Sequence, residues 1–279
     1  MNVRAILVPY DSGHCRKRMG LGPARILDQG LEKLFPKMQI QFDTVEIGSD
    51  NPHPVEISTA FELARKVAEQ VSVCRAEGVF PLVLSGNCNA SLGTVSGSGA
   101  EKVGIIWFDA HGEANTPETT ASGFLDGMPL SILLGRAWQT LARSVPGFAA
   151  IPGERIVLFG ASQLEKAECN LLDEAGVRRV STVPQLQTAL SALAEQADKI
   201  YVHLDLDVLN SEEAIWNQWA GPSGISLVPL LEAVAEIGNS GRVCALGVAS
   251  YDPAADLSGK AMQAAISVIQ TLFERNLPT

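Results

Sequence analysis

Two short runs of acidic and imidazole side chains, each directly after an apolar stretch, could together bind divalent metal ions. Acid or imidazole stands at every second position of these runs, which are Asp109, His111 and Glu113, and His203, Asp205 and Asp207. A β-strand points alternate side chains to one face, so each set can converge just beyond a strand end. Burying so many carboxylates together is very costly unless cations neutralise them. The pattern therefore predicts a divalent metal site, with two ions rather than one.

Each of these residues also has a simpler interpretation. Asp109 and Asp205 could cap the turns that follow their strands, as aspartates often do. His111 by itself could be a structural histidine, and His203 lies one step deeper in its strand, where packing is favoured over ligation. The paired spacing of the ligand-type residues is what favours metal binding over these alternatives.

The elements that must position these residues follow from β-rich runs that alternate with amphipathic stretches. Strands are predicted at 3–8, 39–47, 81–84, 103–109, 155–159, 199–205 and 243–248. Helices are predicted near 22–34, 56–78, 128–144, 164–175, 183–197, 226–238 and 257–275. Apolar strands alternating with helices predict one three-layer α/β/α domain over 1–279, with a central parallel sheet. Ligands bind such folds beyond the carboxyl ends of strands, where the acids stand.

Composition and charge exclude several kinds of partner. The chain has 279 residues, 46% of them hydrophobic, which is enough for one large core. A net charge of −10 argues against nucleic acid and anionic membrane surfaces. No apolar segment approaches the roughly 20 residues that span a bilayer, and the N-terminus lacks a signal-peptide pattern. Five scattered cysteines are typical of a reduced, cytoplasmic protein rather than of a disulfide framework.

Three motifs make the chain resemble the arginase (ureohydrolase) superfamily. Members of that family carry a GGDHS turn, a DAHxD motif that continues into NTPxTTxSGxxHG, and an SxDxDxxDP motif. The corresponding segments are LSGNCN at 84–89, DAHGEANTPETTASGFLDGMP at 109–129 and HLDLDVLN at 203–210. The resemblance extends from about Leu7 to Pro253, in the order of the family.

The resemblance implies an arginase-like fold with two divalent metal ions, most readily Mn²⁺. The implied ligands are Cys88, Asp109, His111, Glu113, Asp205 and Asp207. Asp109 and Asp205 would bridge the two ions. Water made acidic by the two cations would attack a guanidinium carbon and expel urea from an amine. Hard divalent ions prefer oxygen ligands, and an imidazole adds directional binding.

The resemblance also implies an amino-acid pocket. The loop that contains Asn115, Thr120 and Ser122 would hold the α-carboxylate, and Glu165 and Glu168 would hold the α-amino group. Asn115 and Ser122 could instead be turn residues that satisfy their own backbone. The two glutamates could equally complement the dipole at the start of a helix.

Several positions depart from the family pattern. Cys88 replaces a histidine; it could ligate, although a thiolate suits manganese less well than imidazole. It could instead be a small buried hydrophobe, which would leave that metal position weak or empty. Glu113 replaces an aspartate, Asn210 replaces the last aspartate of the third motif, and Ser250 stands where the family has a glutamate that holds the guanidinium. Asp126 stands in place of a histidine proposed to shuttle protons. We expect Asp126 to be the catalytic acid, as proton carrier or substrate anchor; its alternative is a helix N-cap.

These features predict a metal-dependent amidinohydrolase for an arginine-like amino acid. A hydroxylated or otherwise modified guanidino group is favoured over plain arginine, and urea or a substituted urea would be released. The expected partner is this small-molecule substrate, with homo-oligomer formation left open. The alternative is a catalytically silent arginase-fold protein that binds a ligand or another subunit. A phosphoryl-transfer enzyme is discounted because the sequence has no phosphate-binding glycine loop of the P-loop kind.

Overall fold

The computed structural model describes residues 1–52 and 55–276 of the chain. Its strands are β1 (Asn2–Val8), β2 (Tyr10–Asp11), β3 (His14–Cys15), β4 (Gln41–Glu46), β5 (Phe80–Ser85), β6 (Val103–Phe108), β7 (Ile156–Phe159), β8 (Arg178–Val180), β9 (Lys199–Asp205) and β10 (Val243–Ala249). Its α-helices are α1 (Gly22–Ile26), α2 (Glu32–Lys37), α3 (Glu56–Glu77), α4 (Ala90–Gly99), α5 (Pro129–Leu133), α6 (Gln139–Ala142), α7 (Lys166–Ala175), α8 (Val183–Ala194), α9 (Leu227–Asn239) and α10 (Lys260–Asn276). Within these described residues, no helix is both long and apolar enough to span a bilayer.

Eight strands form one parallel sheet in the order β4-β1-β5-β10-β9-β6-β7-β8. Every residue of β5 and β6 is buried, as a parallel sheet with helices on both faces requires. Alternate strand residues enter different apolar clusters: Phe108 and Leu204 pack with residues of α8, α9 and α10, whereas Trp107 and Tyr201 pack with residues of α3 and α4. This architecture confirms the predicted α/β fold with helical layers around a central parallel sheet.

The structure corrects some of the predicted elements. All seven predicted strands are in the sheet, but the short edge strand β8 was not predicted, because Arg178 and Arg179 make two of its three residues charged. The helix predicted near 22–34 is interrupted by a π-helical turn over Leu27–Leu31. The helix predicted near 128–144 is two short helices, α5 and α6, because Gly135 and Trp138 between them have φ values of +71° and +47°.

Helix α4 was also not predicted, and its glycines explain both its formation and the omission. A Cβ added at Gly93 would stand 2.4 Å from the carbonyl oxygen of Ala64, and one at Gly97 would stand 2.5 Å from that of Ala68. The glycines therefore let α4 lie directly against α3, and this packing outweighs their poor helix propensity. Because α4 begins two residues after Cys88, its packing also positions the turn that carries the thiol.

Candidate metal centre

The carboxyl ends of four adjacent strands carry the polar residues of the candidate site. Cys88 follows β5, Asp109 follows β6, Asp205 ends β9 and Ser250 follows β10. In a parallel sheet these ends meet at one edge, so their side chains can converge. The pairing of Phe108 with Leu204 across β6 and β9 sets Asp109 beside Asp205.

Two groups of potential metal ligands lie at this edge and share one carboxylate. Cys88, Asp109 and Asp205 form the first group, and Asp109, His111 and Asp207 form the second; within each group the ligand atoms lie within 4.8 Å of one another. The four acid and thiol side chains are buried, whereas the side chain of His111 is 29% exposed. The structure thus brings together five of the six residues expected to ligate, with Asp109 between the two groups.

Neighbouring groups orient both oxygens of Asp109. Its Oδ1 accepts the backbone N–H of His111 at 2.8 Å, and its Oδ2 accepts Nε1–H of Trp107 at 2.9 Å. His111 Nδ1 lies 3.4 Å from Asp109 Oδ1 and 3.2 Å from Asp207 Oδ2. Burial opposes the charged imidazole, but hydrogen bonds to the two carboxylates raise the pKa of His111 to about 12. Burial, followed by the charge of Asp207, raises the pKa of Asp109 to about 7.

Cys88 and Ser250 both contact one oxygen of Asp205. Cys88 Sγ donates to Asp205 Oδ2 at 2.9 Å and Ser250 Oγ donates to the same atom at 2.5 Å, with 3.6 Å between sulfur and hydroxyl oxygen. Burial, and then the carboxylate of Asp205, raises the pKa of Cys88 well above its ordinary value. Burial also raises the pKa of Asp205. A divalent cation would favour the thiolate and the carboxylate over their protonated forms.

Glu113 supplies an independent sign that the site accommodates a cation. Its backbone adopts the left-handed region with φ of +50°, and its carbonyl accepts Leu130 N–H at 2.8 Å, which fixes the bend. The side chain is buried, and among the described residues Glu113 Oε2 has no hydrogen-bond partner. A buried carboxylate oxygen without a partner is costly unless a proton or a cation occupies it. The oxygen-rich set with one imidazole and one thiol therefore fits divalent metal ions.

Asp126 contacts the turn that carries Cys88. Its Oδ2 accepts Asn87 Nδ2–H at 2.8 Å and Cys88 N–H at 3.1 Å, while Oδ1 accepts both the backbone N–H and the side-chain amide of Asn89 at 2.9 Å. Burial raises the pKa of Asp126 to about 7 although these hydrogen bonds oppose the shift. The N-cap of α5 is Met128 rather than Asp126. Contact of Asp126 with substrate stays a prediction.

The residues expected to hold an α-carboxylate lie together on the loop after β6. The side-chain oxygen of Asn115 accepts a hydrogen bond from Thr119 at 2.9 Å. The hydroxyls of Thr120 and Ser122 accept backbone N–H groups three and two residues further along the chain. These are the local turn contacts of their simpler interpretation. Their contact with substrate stays a prediction.

Glu165 and Glu168 form a capping box at the start of α7. Glu168 Oε2 accepts Glu165 N–H at 3.0 Å, and its Oε1 accepts Ala114 N–H at 3.1 Å. The buried carboxylate of Glu168 therefore ties α7 to the loop directly after Glu113. These contacts favour the helix-start interpretation, and binding of an amino group stays a prediction.

Trp107 is a supporting residue that sequence reasoning missed. It stacks on His203 with ring centroids 3.7 Å apart. His203 Nδ1 lies 2.8 Å from the Tyr201 hydroxyl, and burial lowers the pKa of His203 to about 3. His203 belongs to neither ligand group, in keeping with the packing role favoured from the sequence. The position of Trp107, two residues before Asp109 on the same strand face, was the available signal.

The segment between β9 and α9 contacts the turn after β10 and the loop after β6. Asn217 Nδ2 donates to the carbonyl oxygen of Ser250 at 2.9 Å. Trp216 is fully buried, whereas Trp219 is 50% exposed and its ring lies 6.2 Å from that of Phe124. The segment therefore connects the Ser250 turn with the loop that follows β6.

Comparisons with known proteins support the resemblance to arginases over nearly the whole chain. The family model described as Arginase family matches residues 1–274. The chain is 28% identical to the arginase of Bacillus subtilis (strain 168), covering 99% of this chain and 98% of that protein. It is 26% identical to the arginase of Bacillus caldovelox, covering 99% of each. A crystal structure of Bacillus subtilis arginase superposes with a TM-score of 0.88 at 25% identity, covering 98% of both chains. The formimidoylglutamase of Bacillus subtilis shares the fold, with a TM-score of 0.80 at 19% identity, covering 98% of this chain and 86% of that one. This chain belongs to the Arginase family.

Proposed function

We propose that this protein is a metal-dependent amidinohydrolase that cleaves the guanidino group of a modified, arginine-like amino acid. The observation that carries the proposal is the pair of ligand groups that share Asp109 at the carboxyl edge of the sheet. Membership of the Arginase family, with curated arginases as relatives, supports hydrolysis of a carbon–nitrogen bond in an amidine. Manganese is the expected metal because the set is rich in hard carboxylate ligands.

The residues of the site divide into those that would hold metal and those that hold the ligands in place. Six residues would hold two divalent ions, namely Cys88, Asp109, His111, Glu113, Asp205 and Asp207. The bound ions would supply the Lewis acidity that activates water and polarises the amidine carbon. Trp107 orients Asp109 and Ser250 orients Asp205 through the hydrogen bonds described above. His111 is the most exposed of these six residues, so substrate would approach from its side.

Ser250 supports a modified guanidino group over plain arginine. Its hydroxyl carries no charge and already donates to Asp205 Oδ2 at 2.5 Å, so it offers no carboxylate to a guanidinium cation. A guanidino group that carries a hydroxyl or another electron-withdrawing substituent on nitrogen is less basic, and it needs less compensating negative charge. The exposed ring of Trp219 beside Phe124 would line the approach to this group.

Metal analysis combined with a substrate panel tests the proposal. Protein purified with Mn²⁺ is expected to hold two ions per chain and to release urea, or a substituted urea, from hydroxylated arginine faster than from arginine. Asp109→Asn, which alters the shared ligand, is expected to abolish both metal binding and release. A folded chain with neither stoichiometric metal nor turnover of any guanidino acid would contradict the proposal and support the silent binding protein. Light scattering would show whether the chain forms the expected homo-oligomer.

A further inference from the structure

We propose that Asp126 is a positioning residue that acts through Cys88, by fixing the turn that presents the thiol to the metal centre. The inference rests on the metal site of the proposed function, but metal content tests it rather than turnover. It differs from the role expected from the sequence, in which Asp126 itself reached the substrate. The hydrogen bonds of its carboxylate decide between these roles.

The carboxylate of Asp126 has no acceptor capacity left over. A carboxylate offers about four lone-pair sites, and four donors occupy those of Asp126 at 2.8–3.1 Å. All four donors belong to Asn87, Cys88 and Asn89, three consecutive residues. Asp126 as a whole residue is 5% exposed. The turn over residues 87–89 therefore occupies the acceptor sites of the Asp126 carboxylate. No acceptor site is left for a substrate or another proton donor.

The same turn is held from its opposite side. Asn87 Oδ1 accepts Ser12 N–H at 2.8 Å, so the amide that donates to Asp126 also accepts from the loop between β2 and β3. A Cβ at Gly86 would stand 2.2 Å from the carbonyl oxygen of Tyr10, which shows how closely the two segments pack. With its N–H bound to Asp126, Cys88 has only the rotation of its short side chain left to place Sγ. That rotation brings Sγ to Asp205.

Charge complementarity explains why amides flank the cysteine. An aspartate at position 87, as in the GGDHS pattern, would set a second carboxylate against Asp126, where two negative charges would repel. Asn87 and Asn89 instead provide one side-chain N–H each to the single acid. Asn87, Asn89 and Asp126 therefore form one hydrogen-bonded unit, and its centre is the backbone of Cys88.

Glu113 shows the contrasting condition of a buried acid at the same centre. Glu113 Oε2 has no hydrogen-bond partner among the described residues, whereas both oxygens of Asp126 are fully bonded. Of these two acids, Glu113 can therefore bind a cation, whereas Asp126 can only orient Cys88, which would be a ligand of the cation. Outer partners of metal ligands contribute about tenfold to a hundredfold to metal affinity.

Cobalt substitution tests the role of Asp126 directly, because thiolate-to-cobalt charge transfer reports the Cys88 ligand. Protein loaded with Co²⁺ is compared as wild type, Asp126→Asn and Glu118→Gln, the last being an exposed acid on the same loop. We expect Asp126→Asn to weaken one of two Co²⁺ sites by about tenfold to a hundredfold and to diminish the charge-transfer band. The other site should keep its affinity, and Glu118→Gln should match wild type.

A second variant approaches the contact from the turn. Asn89→Ala leaves the carboxylate of Asp126 intact and removes one of its donors, so it should weaken the same Co²⁺ site and the same band. If Asp126→Asn does not fold, Asn89→Ala alone decides. Two filled sites and an undiminished band in either variant, with turnover lost only in Asp126→Asn, would overturn the inference and make Asp126 catalytic. A wild-type chain that binds no Co²⁺ would reject the proposed function, and this inference with it.

Discussion

Trp107 and His203 stack on adjacent strands with ring planes inclined by only 24°. In this stacked position, Nε1 of Trp107 lies 2.9 Å from Asp109 Oδ2. The hydroxyl of Tyr201 contacts Nδ1 of His203 and so holds the imidazole in place. Because burial lowers the pKa of His203 to about 3, the ring is neutral at physiological pH. An uncharged imidazole therefore aligns the indole that orients the carboxylate shared by both ligand groups.

Replacing the indole is expected to weaken metal binding. Trp107→Phe keeps an aromatic ring against His203 but removes the N–H donor to Asp109, which should lower Mn²⁺ affinity by about tenfold. This affinity is measured by titrating the protein with Mn²⁺ and following free Mn²⁺ by electron paramagnetic resonance. Trp138→Phe is the control, because among the described residues Trp138 Nε1 has no hydrogen-bond partner. Equal losses in the two variants would contradict the orienting role of Trp107.

The stability contribution of His203 should follow its ring rather than its nitrogen atoms. His203→Phe preserves a flat ring on Trp107 and is expected to cost less than about 1.5 kcal/mol, whereas His203→Ala leaves a cavity and should cost about 2–4 kcal/mol. Urea unfolding of the metal-free protein gives both values. A phenylalanine variant as unstable as the alanine variant would show that the contact with the Tyr201 hydroxyl, rather than stacking on Trp107, accounts for the stability contribution of His203.

Cys88 should determine which metal the first ligand group prefers. A thiolate is softer than imidazole, so Cys88→His is expected to shift the competition between Zn²⁺ and Mn²⁺ toward Mn²⁺ by about tenfold or more. Competitive dialysis followed by elemental analysis measures the ratio. Cys15→Ser, which alters an exposed cysteine, is the matched control. An unchanged ratio in Cys88→His would mean that Cys88 is a packing residue.

Protonation of Glu62 in acid should make the fold less stable. Glu62 accepts hydrogen bonds from Ser49 and from the backbone of Asp50, and Lys66 Nζ lies 3.0 Å away. Burial opposes its charge, but these partners lower its pKa from 4.5 to about 2. A lowered pKa in the folded state contributes stability above the ordinary pKa, and this contribution is lost as the pH falls toward 2.

The corresponding variant carries a defined pH signature. Glu62→Gln should lower the free energy of unfolding by about 1 kcal/mol at pH 7 and change it little near pH 2. Urea unfolding of the metal-free protein at both pH values checks this, with Glu69→Gln, an exposed acid on the same helix, as control. A loss of equal size at both pH values would assign the effect to packing rather than to charge.

Seven of the eight strands in the main sheet could be predicted from the sequence because their apolar runs are local. Helix α4 could not, since Gly93 and Gly97 locally disfavour a helix, and only contact with α3 makes them suitable. The π-helical turn at Leu27–Leu31 likewise leaves no local signature in an amphipathic stretch.

The clustering of the candidate ligands could be predicted for a similar reason, whereas the contacts that support them could not. Alternate spacing along single strands identifies Asp109 and Asp205 as convergent. The contact between Asn87 and Asp126 joins residues 39 positions apart, so it depends on how two loops meet. No periodicity in either loop carries that information.

In the proposed metal site, the close contact between α3 and α4 would make metal affinity depend on residues that do not touch a metal. Helix α4 starts directly after the turn that contains Cys88. A methyl group at Gly93 would clash with the backbone of Ala64, and the resulting shift of α4 would also displace this turn. Substitutions at the interface between α3 and α4 would therefore change how fully the metal sites are occupied, although every ligating atom would stay the same.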